Sequence, residues 1–392
     1  MLFIIAAIGL AITISHRTAD GANDRSVVVN AADAAAYSGA SWMARHLNLI
    51  AYTNRALVAN HIAVGHFTAY LSWLRYVEDA SDGLASVTRY IPYVNQATSA
   101  AARIADAALK GTELFGRGYI NGIDGLHGLM MSTQARARLA IQPPEIDRIM
   151  AAVAQGHDPS IVINQTDATN ALPQPYRAVV QGYLASRYAQ TLSRIQSARP
   201  GDDRRRFGEW VAATINHDRR LRRWLAGREG RGWPGYGSGR REWDVKIPLI
   251  IKIRKQGATS RADRADADGW RSLDRFQKAE YKLGKGEWSG WDTLARGRAD
   301  ADRIAGNYRG VRRYTRLKTR GDHPGGFAVP AIATLAEGRR SRGINHLTIA
   351  RVVYRPPQGC GQPCPGDAGN DPTLFGPFWK PRLSTQPGGV WP

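Results

Sequence analysis

Between Asn30 and Asp79 the apolar positions recur in alternating steps of four and three. One column reads Ala36, Met43, Ile50, Leu57, Val64, Leu71, and the column beside it reads Ala40, Leu47, Asn54, His61, Thr68. That is a heptad seam held for about five repeats, one line apolar and the other broken by polar groups. The stretch has no proline, the first in the chain being Pro92, and alanine, the best helix former, dominates its start. The pattern predicts one helix over 27–79; about 50 residues of it would be roughly 75 Å long, more than an ordinary domain is wide. An apolar line of that length must be covered. Its cover is either another helical subunit, with Met43, Ile50, Leu57 and Val64 as packing positions and Asn54 and His61 setting the register, or later helices of the same chain such as Ala97–Leu109. Asp33, Arg45, Asn48, Arg55 and Asn60 lie off the seam.

Upstream, Leu2–Ile14 is an apolar run of thirteen residues closed by Ser15, His16 and Arg17. A full span takes about twenty apolar residues, so the run is short. No basic residue precedes it, and Arg17 and Arg25 stand on the side that disfavours export of the remaining chain. No small-residue cleavage site comes after Ile14, so an anchor over 1–15 is preferred to a cleaved signal. Thr18–Ser26 is polar, and Gly21 within it predicts a hinge between anchor and rod, with Asn23 or Asp24 capping the rod helix.

Ser81-Asp82-Gly83 reads as a turn, and helical patterns recur through 80–198, at about Leu84–Tyr90, Tyr93–Leu109, Ile123–Ile141, Pro144–Ala154 and Tyr176–Gln196. The glycines of Gly111–Gly128 interrupt them, and Gln142-Pro143-Pro144 opens a helix with proline in its first turn. A short strand is expected at Ser160–Asn164. A boundary falls near Arg199-Pro200-Gly201. Beyond it the period shifts towards two, predicting strands at Asp244–Arg254, Val311–Leu317, Phe327–Thr334 and Asn345–Tyr354, with a weakly patterned, charged stretch at Arg261–Gly310. The fold class expected is α+β: an anchor leading into a long helix and a helical bundle, a basic α/β region over 199–355, and an irregular Pro/Gly-rich tail over 356–392.

Charge sharpens this division. The net charge is +21. Residues 1–196 hold 15 basic and 13 acidic side chains, and residues 197–392 hold 39 and 20. The basic character therefore belongs to the C-terminal half, which suits an anionic surface: lipid headgroups, polysaccharide, nucleic acid or an acidic protein. Arginines of Arg204–Arg206 and Arg219–Arg223 interleave with Trp210, Trp224, Trp233 and Trp243, a composition for binding single-stranded nucleic acid, but no known nucleic-acid-binding module frames them. A solvated, partner-facing surface with tryptophans as core or loop anchors is therefore preferred.

Catalytic and metal signatures are missing. Asp263, Asp266 and Asp268 before Gly269 hint at a calcium loop, but the first and twelfth ligand places fall on Arg264 and Arg275. His61 and His66 lack metal-ligand spacing. Gly235, Gly237 and Gly239 do not complete a dinucleotide fingerprint, and neither a phosphate-binding P-loop nor a GxSxG elbow occurs. No cofactor and no small-molecule substrate is expected. Cys360 and Cys364, four apart with Gly361 and Pro363 between, are within reach of a disulfide in a turn, which suits an oxidising compartment; two free thiols in a loose tail are the other reading.

AADAAAYSGA (Ala31–Ala40), coming after a short hydrophobic terminus, resembles the hallmark segment of TadE/TadG-like pilus-assembly proteins of the bacterial tight-adherence (Flp) system. WMARHLNLIAYTNRALVANHIAVGHF (Trp42–Phe67) is similar to one proteobacterial branch of that group. The resemblance covers about residues 1–80, with Asn30, Asp33, Tyr37 and Gly39 as its motif positions. It implies a non-catalytic protein held in the inner membrane by a single pass, its bulk in the periplasm, with other pilus-assembly or pseudopilin-like membrane proteins as partners. Asp33 is the one charge in the small-residue stretch, either paired with a partner's arginine or solvated near a helix start. Relatives carry a basic, Gly-containing leader before the apolar run, so a start further upstream is expected. The nearest match to a DxSxS adhesion motif, Asp158-Pro159-Ser160-Ile161-Val162, lacks the second serine.

Overall fold

The computed structural model describes residues 2–87, 94–164, 178, 181–182, 193–203, 207–211, 214, 238–240, 243–247, 251–264, 267–282, 286–306, 308–318, 326–335, 345–356 and 372–384. Cys360, Cys364, Arg204–Arg206, Arg219–Arg223, Trp224, Trp233 and most of the helix expected at Tyr176–Gln196 lie outside them.

A single helix, α1 (Leu2–Val87), runs through the molecule. At 1.5 Å per residue its 86 residues span about 130 Å. It includes both the hinge expected at Thr18–Ser26 and the turn expected at Ser81-Asp82-Gly83. One glycine in a helix costs only about 1 kcal/mol, too little to break a rod whose neighbouring turns are bonded and packed. For the same reason α2 (Val94–Ala140) passes unbroken through Gly111–Gly128, where an interruption was expected. α3 (Pro143–His157) begins as its sequence predicts, with Gln142 as N-cap and proline in the first turn.

The strands are antiparallel. In chain order they are β1 (Ile161–Ile163), β2 (Ile195–Ala198), β3 (Ser238–Arg240), β4 (Trp243–Ile247), β5 (Ile251–Arg264), β6 (Ala267–Lys282), β7 (Glu287–Trp288), β8 (Asp292–Asp300), β9 (Tyr314–Leu317), β10 (Phe327–Leu335), β11 (Asn345–Tyr354) and β12 (Trp379–Leu383), with the short helix α4 (Ala301–Ala305) after β8. One sheet has the order β1-β10-β11-β12, β2 pairs β9, and six strands follow the path β3-β5-β6-β7 with β4 on β5 and β8 on β6. The protein is thus α+β, with long helices and antiparallel sheets.

Several strands differ from the expected bounds. Asp244–Arg254 was expected as one strand; it is a hairpin, Ile247 opposite Ile251, with Pro248 between the arms. Proline has no N–H to donate to a ladder, so the apolar run cannot continue straight through it. The stretch at Arg261–Gly310, expected to be weakly structured, supplies β6, β8 and α4. β8 alternates exposed and buried positions from Leu294 to Ala299, but its inward residues are mostly Ala and Gly, too small to register as an apolar pattern. β12 lies in the tail that composition marked as irregular.

β1, within the strand expected at Ser160–Asn164, and β2, from the otherwise helical part, pair with β10 and β9 from the basic part. The helical and basic parts therefore share their sheets. Asn164 ends β1 in the left-handed region at φ 50°, which asparagine tolerates. Its amide donates to the Pro330 carbonyl at 3.1 Å and accepts from the Ile332 N–H at 2.9 Å, extending the pairing of β10 past the end of β1.

The core is arranged along α1. From Val28 to Ile50 the helix packs against α3 and the four-stranded sheet. Leu57, Val58, Ile62, Val64 and Ala69 pack against α2, Trp270 of β6 and the aromatic residues Phe207, Tyr308 and Tyr314. Leu71 and Leu74 meet Leu109 and Ala299.

Candidate functional site: the central helix and its free end

Each seam residue predicted from the heptad is buried: Met43, Ile50, Asn54, Leu57, His61 and Val64, along with Leu47, Thr68 and Leu71. The occupant is the chain itself. Of the two covers left open by the pattern, the inter-subunit seam is corrected: strands and helices of the same polypeptide fill it. Strands do most of the covering in the first half of the rod, not the helix expected at Ala97–Leu109. Heptads mark a line that must be buried without stating what buries it.

Of the polar positions of the line, Thr68 bonds within α1, to the Val64 carbonyl at 2.8 Å, while Asn54 and His61 reach residues far along the chain. Asn54 Nδ2 donates to the carbonyls of Thr315 at 2.7 Å and Leu374 at 2.8 Å, and its Oδ1 accepts from Gln134 Nε2 at 2.8 Å. Gln134 Oε1 in turn accepts from the Thr315 N–H and hydroxyl, both at 3.0 Å. One buried amide thereby joins α1, α2 and β9 with its hydrogen bonds made, the condition under which a polar core group fixes a register. Nearly two turns earlier Asn48, expected off the seam, pairs with both the N–H and the carbonyl of Trp379, each at 3.0 Å, and locks β12 to the rod.

His61 Nδ1 lies 3.0 Å from the Tyr308 hydroxyl, and the His61 carbonyl accepts from Trp270 Nε1 at 2.8 Å. The Trp270 ring fills the space over Gly65, where an added Cβ would stand 2.7 Å from it. Further along, Ser72 donates to Asp274 Oδ2 at 2.7 Å, and Lys255 pairs with Asp274 Oδ1 at 3.1 Å. Asp274 is fully buried, so this ion pair stands or falls as a unit. Nothing in the sequence joined Ser72, Lys255 and Asp274; the first and last are 202 positions apart.

The motif positions divide. Gly39 is a contact surface: a Cβ there would stand 2.9 Å from the Met150 side chain, so α3 packs closely on α1 at this glycine. Asp33 accepts a hydrogen bond from the Thr348 hydroxyl at 2.6 Å and so ties the helix to β11, a role neither of its two expected readings included. Asn30 and Tyr37 face solvent.

The other end of α1 is bare. Residues 3–19 are all exposed, and Val28 is the first buried position. This end of the helix is long and apolar enough to cross a membrane and has no cover among the described residues. An apolar helix continuing out of a packed core, with Phe3, Ile4, Ile5, Ile8, Leu10, Ile12 and Ile14 in the open, is suited to a single-pass anchor.

Of the four tryptophans that invited a nucleic-acid reading, Trp210 is engaged in the core. Trp210 is buried and stacks on Phe375 at 4.4 Å. The rings of Trp288 and Trp291 carry Lys252 and Arg254 at 3.8 and 3.9 Å. An open groove of about 530 Å³ lies between α1 and α2, lined by Ile62, His66, Phe67, Tyr70, Tyr119 and Thr214 among others. On the inner face of α2, His127 is buried beside Leu57, and its burial lowers its pKa from the ordinary 6.5, with Asp124 opposing. Among the described residues no three His, Cys, Asp or Glu side chains are grouped to hold a metal ion. No family model, curated protein or solved structure matches the chain.

Proposed function

We propose that this protein is a membrane-anchored, non-catalytic assembly component of a bacterial tight-adherence (Flp-type) pilus apparatus. The end of α1 sits in the inner membrane, the folded bulk stands in the periplasm, and other pilus-assembly or pseudopilin-like membrane proteins are its partners. The observation that carries the reading is the continuity of α1. One helix is bare and apolar at its start and, without a break, becomes the core of the folded part through the motif Ala31–Ala40. Such a helix transmits the position and orientation of the membrane directly to the sheets around it. The tight-adherence assignment itself rests on that motif and on Trp42–Phe67.

Deleting residues 2–14 tests the anchor, because no core contact is lost. The shortened protein should keep its protease resistance and leave the membrane fraction. A periplasm-only reporter after Pro392 should be active, and deleting the gene should abolish piliation. A reporter active only in the cytoplasm, or normal pili without the gene, would overturn the reading.

A second reading, a basic protein binding an anionic polymer such as nucleic acid or polysaccharide, draws on the charge of residues 197–392. Salt-sensitive retention of the detergent-solubilised chain on an anionic polymer would favour it. No retention at low salt would remove it.

A further inference from the structure

The outward face of α2 carries a second heptad line, and here the positions are open. Stepping by three and four, it reads Ala101, Ile104, Ala108, Gly111, Phe115, Gly118, then Gly122, Gly125, Leu129 and Ser132, every one of them exposed. Beside it runs the equally exposed row Ala100, Ala107, Leu114, Asn121, Gly128, Ala135. From Ala100 to Ala135, about 50 Å of helix, neither row contains a charge. Ile104 is 71% exposed, Leu114 78% and Leu129 63%.

The glycines make this face more than an apolar stripe. Where glycine is needed inside the fold, something occupies the space it leaves: Met150 over Gly39, Trp270 over Gly65. At Gly111, Gly118, Gly122, Gly125 and Gly128 an added Cβ would meet no heavy atom within 4 Å among the described residues. Each costs the helix about 1 kcal/mol relative to alanine, and no contact among the described residues offsets it. A close-packed second helix would use them, since glycine lets two backbones approach.

We infer that this face of α2 is a homotypic interface, pairing with α2 of a second copy of this chain in parallel, with Gly118 and Gly122 at the closest approach. Three observations select a second copy. A helical face of this length is matched by a helix of equal length. An uncharged line is what a two-fold axis requires, because any charge on it would meet its own twin. The basic residues Arg103, Lys110 and Arg117 stand to one side of the line, where a parallel pair keeps them apart. The two rows, with their flanks, approach the roughly 20–30 residues a side of a stable interface. The parallel sense rests on the anchored reading: chains held in one membrane by α1 point the same way, and their α2 helices therefore do too.

The test is disulfide cross-linking in intact membranes. Full-length protein with Cys360 and Cys364 changed to Ser would carry either Ile104→Cys or Ser132→Cys, and Arg148→Cys on α3 would give the background. Both seam cysteines should link to themselves, giving a band at twice the chain mass. An antiparallel pair centred on the Gly118–Gly122 turn would hold the two copies of residue 104 about 48 Å apart and forbid this. Adding Gly118→Leu and Gly122→Leu should cut the dimer band about tenfold at unchanged abundance and protease resistance, since those side chains face solvent in the single chain. No dimer band above background, a band with a protein of different mass, or a yield indifferent to the two leucines would each overturn the inference. If the chain fractionates as soluble yet both cysteines still self-link, the anchor falls and the pairing stands.

Discussion

α1 and α2 each carry a long heptad line, and the two lines meet opposite fates. That of α1 is covered by strands and helices, and its polar members Asn54 and His61 each have partners far along the chain. That of α2 is rich in glycine, uncharged and open. The contrast is clearest at the glycines: Gly39 and Gly65 are filled by Met150 and Trp270, whereas Gly118 and Gly122 have open space above them. A seam completed within the chain serves the fold, and one left open has its complement elsewhere.

Substitutions should separate the two lines. The largest effect is expected from Leu57→Asp, which buries an unpaired carboxylate at a position with no solvent access; several kcal/mol are at stake. The protein should be lost from cells, as measured by abundance and protease resistance. If Leu57→Asp protein accumulated normally but failed to assemble, this seam would be an intermolecular one after all.

Next come the glycines, whose two classes should respond with opposite sign. Gly39→Val forces a side chain into Met150 and Ile146 and should destabilise by about 1–3 kcal/mol. Gly122→Ala has space and helical geometry and should stabilise the single chain by about 0.4–1 kcal/mol. Urea midpoints of the solubilised protein measure both, and a shift of the same sign in each would erase the distinction.

Asn54→Leu removes the centre of the amide network and strands Gln134 and the Thr315 and Leu374 carbonyls, at a cost of about 1–3 kcal/mol. The double change with Gln134→Leu should cost less than the sum of the singles, because the two share partners.

The smallest effect is a pH dependence. Burial lowers the folded pKa of His127 below its ordinary 6.5, with Asp124, itself bridged to Arg312 at 2.7 Å, pulling the other way. The unfolded chain therefore binds the proton more readily. The stability associated with the neutral ring is present above about pH 6.5 and is lost as pH falls below that value through the folded pKa. His127→Gln should flatten this part of the stability profile; an unchanged slope would assign the pH dependence to other groups.

Much of the helical architecture was legible along the chain. Repeated apolar spacing marked the rod, proline marked the start of α3, and alternation marked β10 and β11, because each signal is local and repeats over several residues. Local breakers misled: Gly21, Gly83 and Gly111–Gly128 suggested interruptions that cooperative helix bonding and one-sided packing override. β8 and β12 went unread, the first because its inward residues are small, the second because it lies in a tail whose composition resembles a loop. Of the polar network, only Asn54 and His61 could be picked out. Their heptad positions are local, whereas Gln134, Thr315, Tyr308 and Trp270 come together only on folding.

By itself, the order of residues determined that a long helix must exist, that one of its lines must be buried, that an apolar run precedes it, and that positive charge collects in the second half. Periodicity, propensity and charge act over a few turns and leave their mark there. Only the tertiary structure decided whose atoms cover the line, which motif residues bear contacts and which face water, and that a second line of the same kind stays open. Those outcomes depend on which distant segments compete for one surface, and adjacent residues hold no record of that competition.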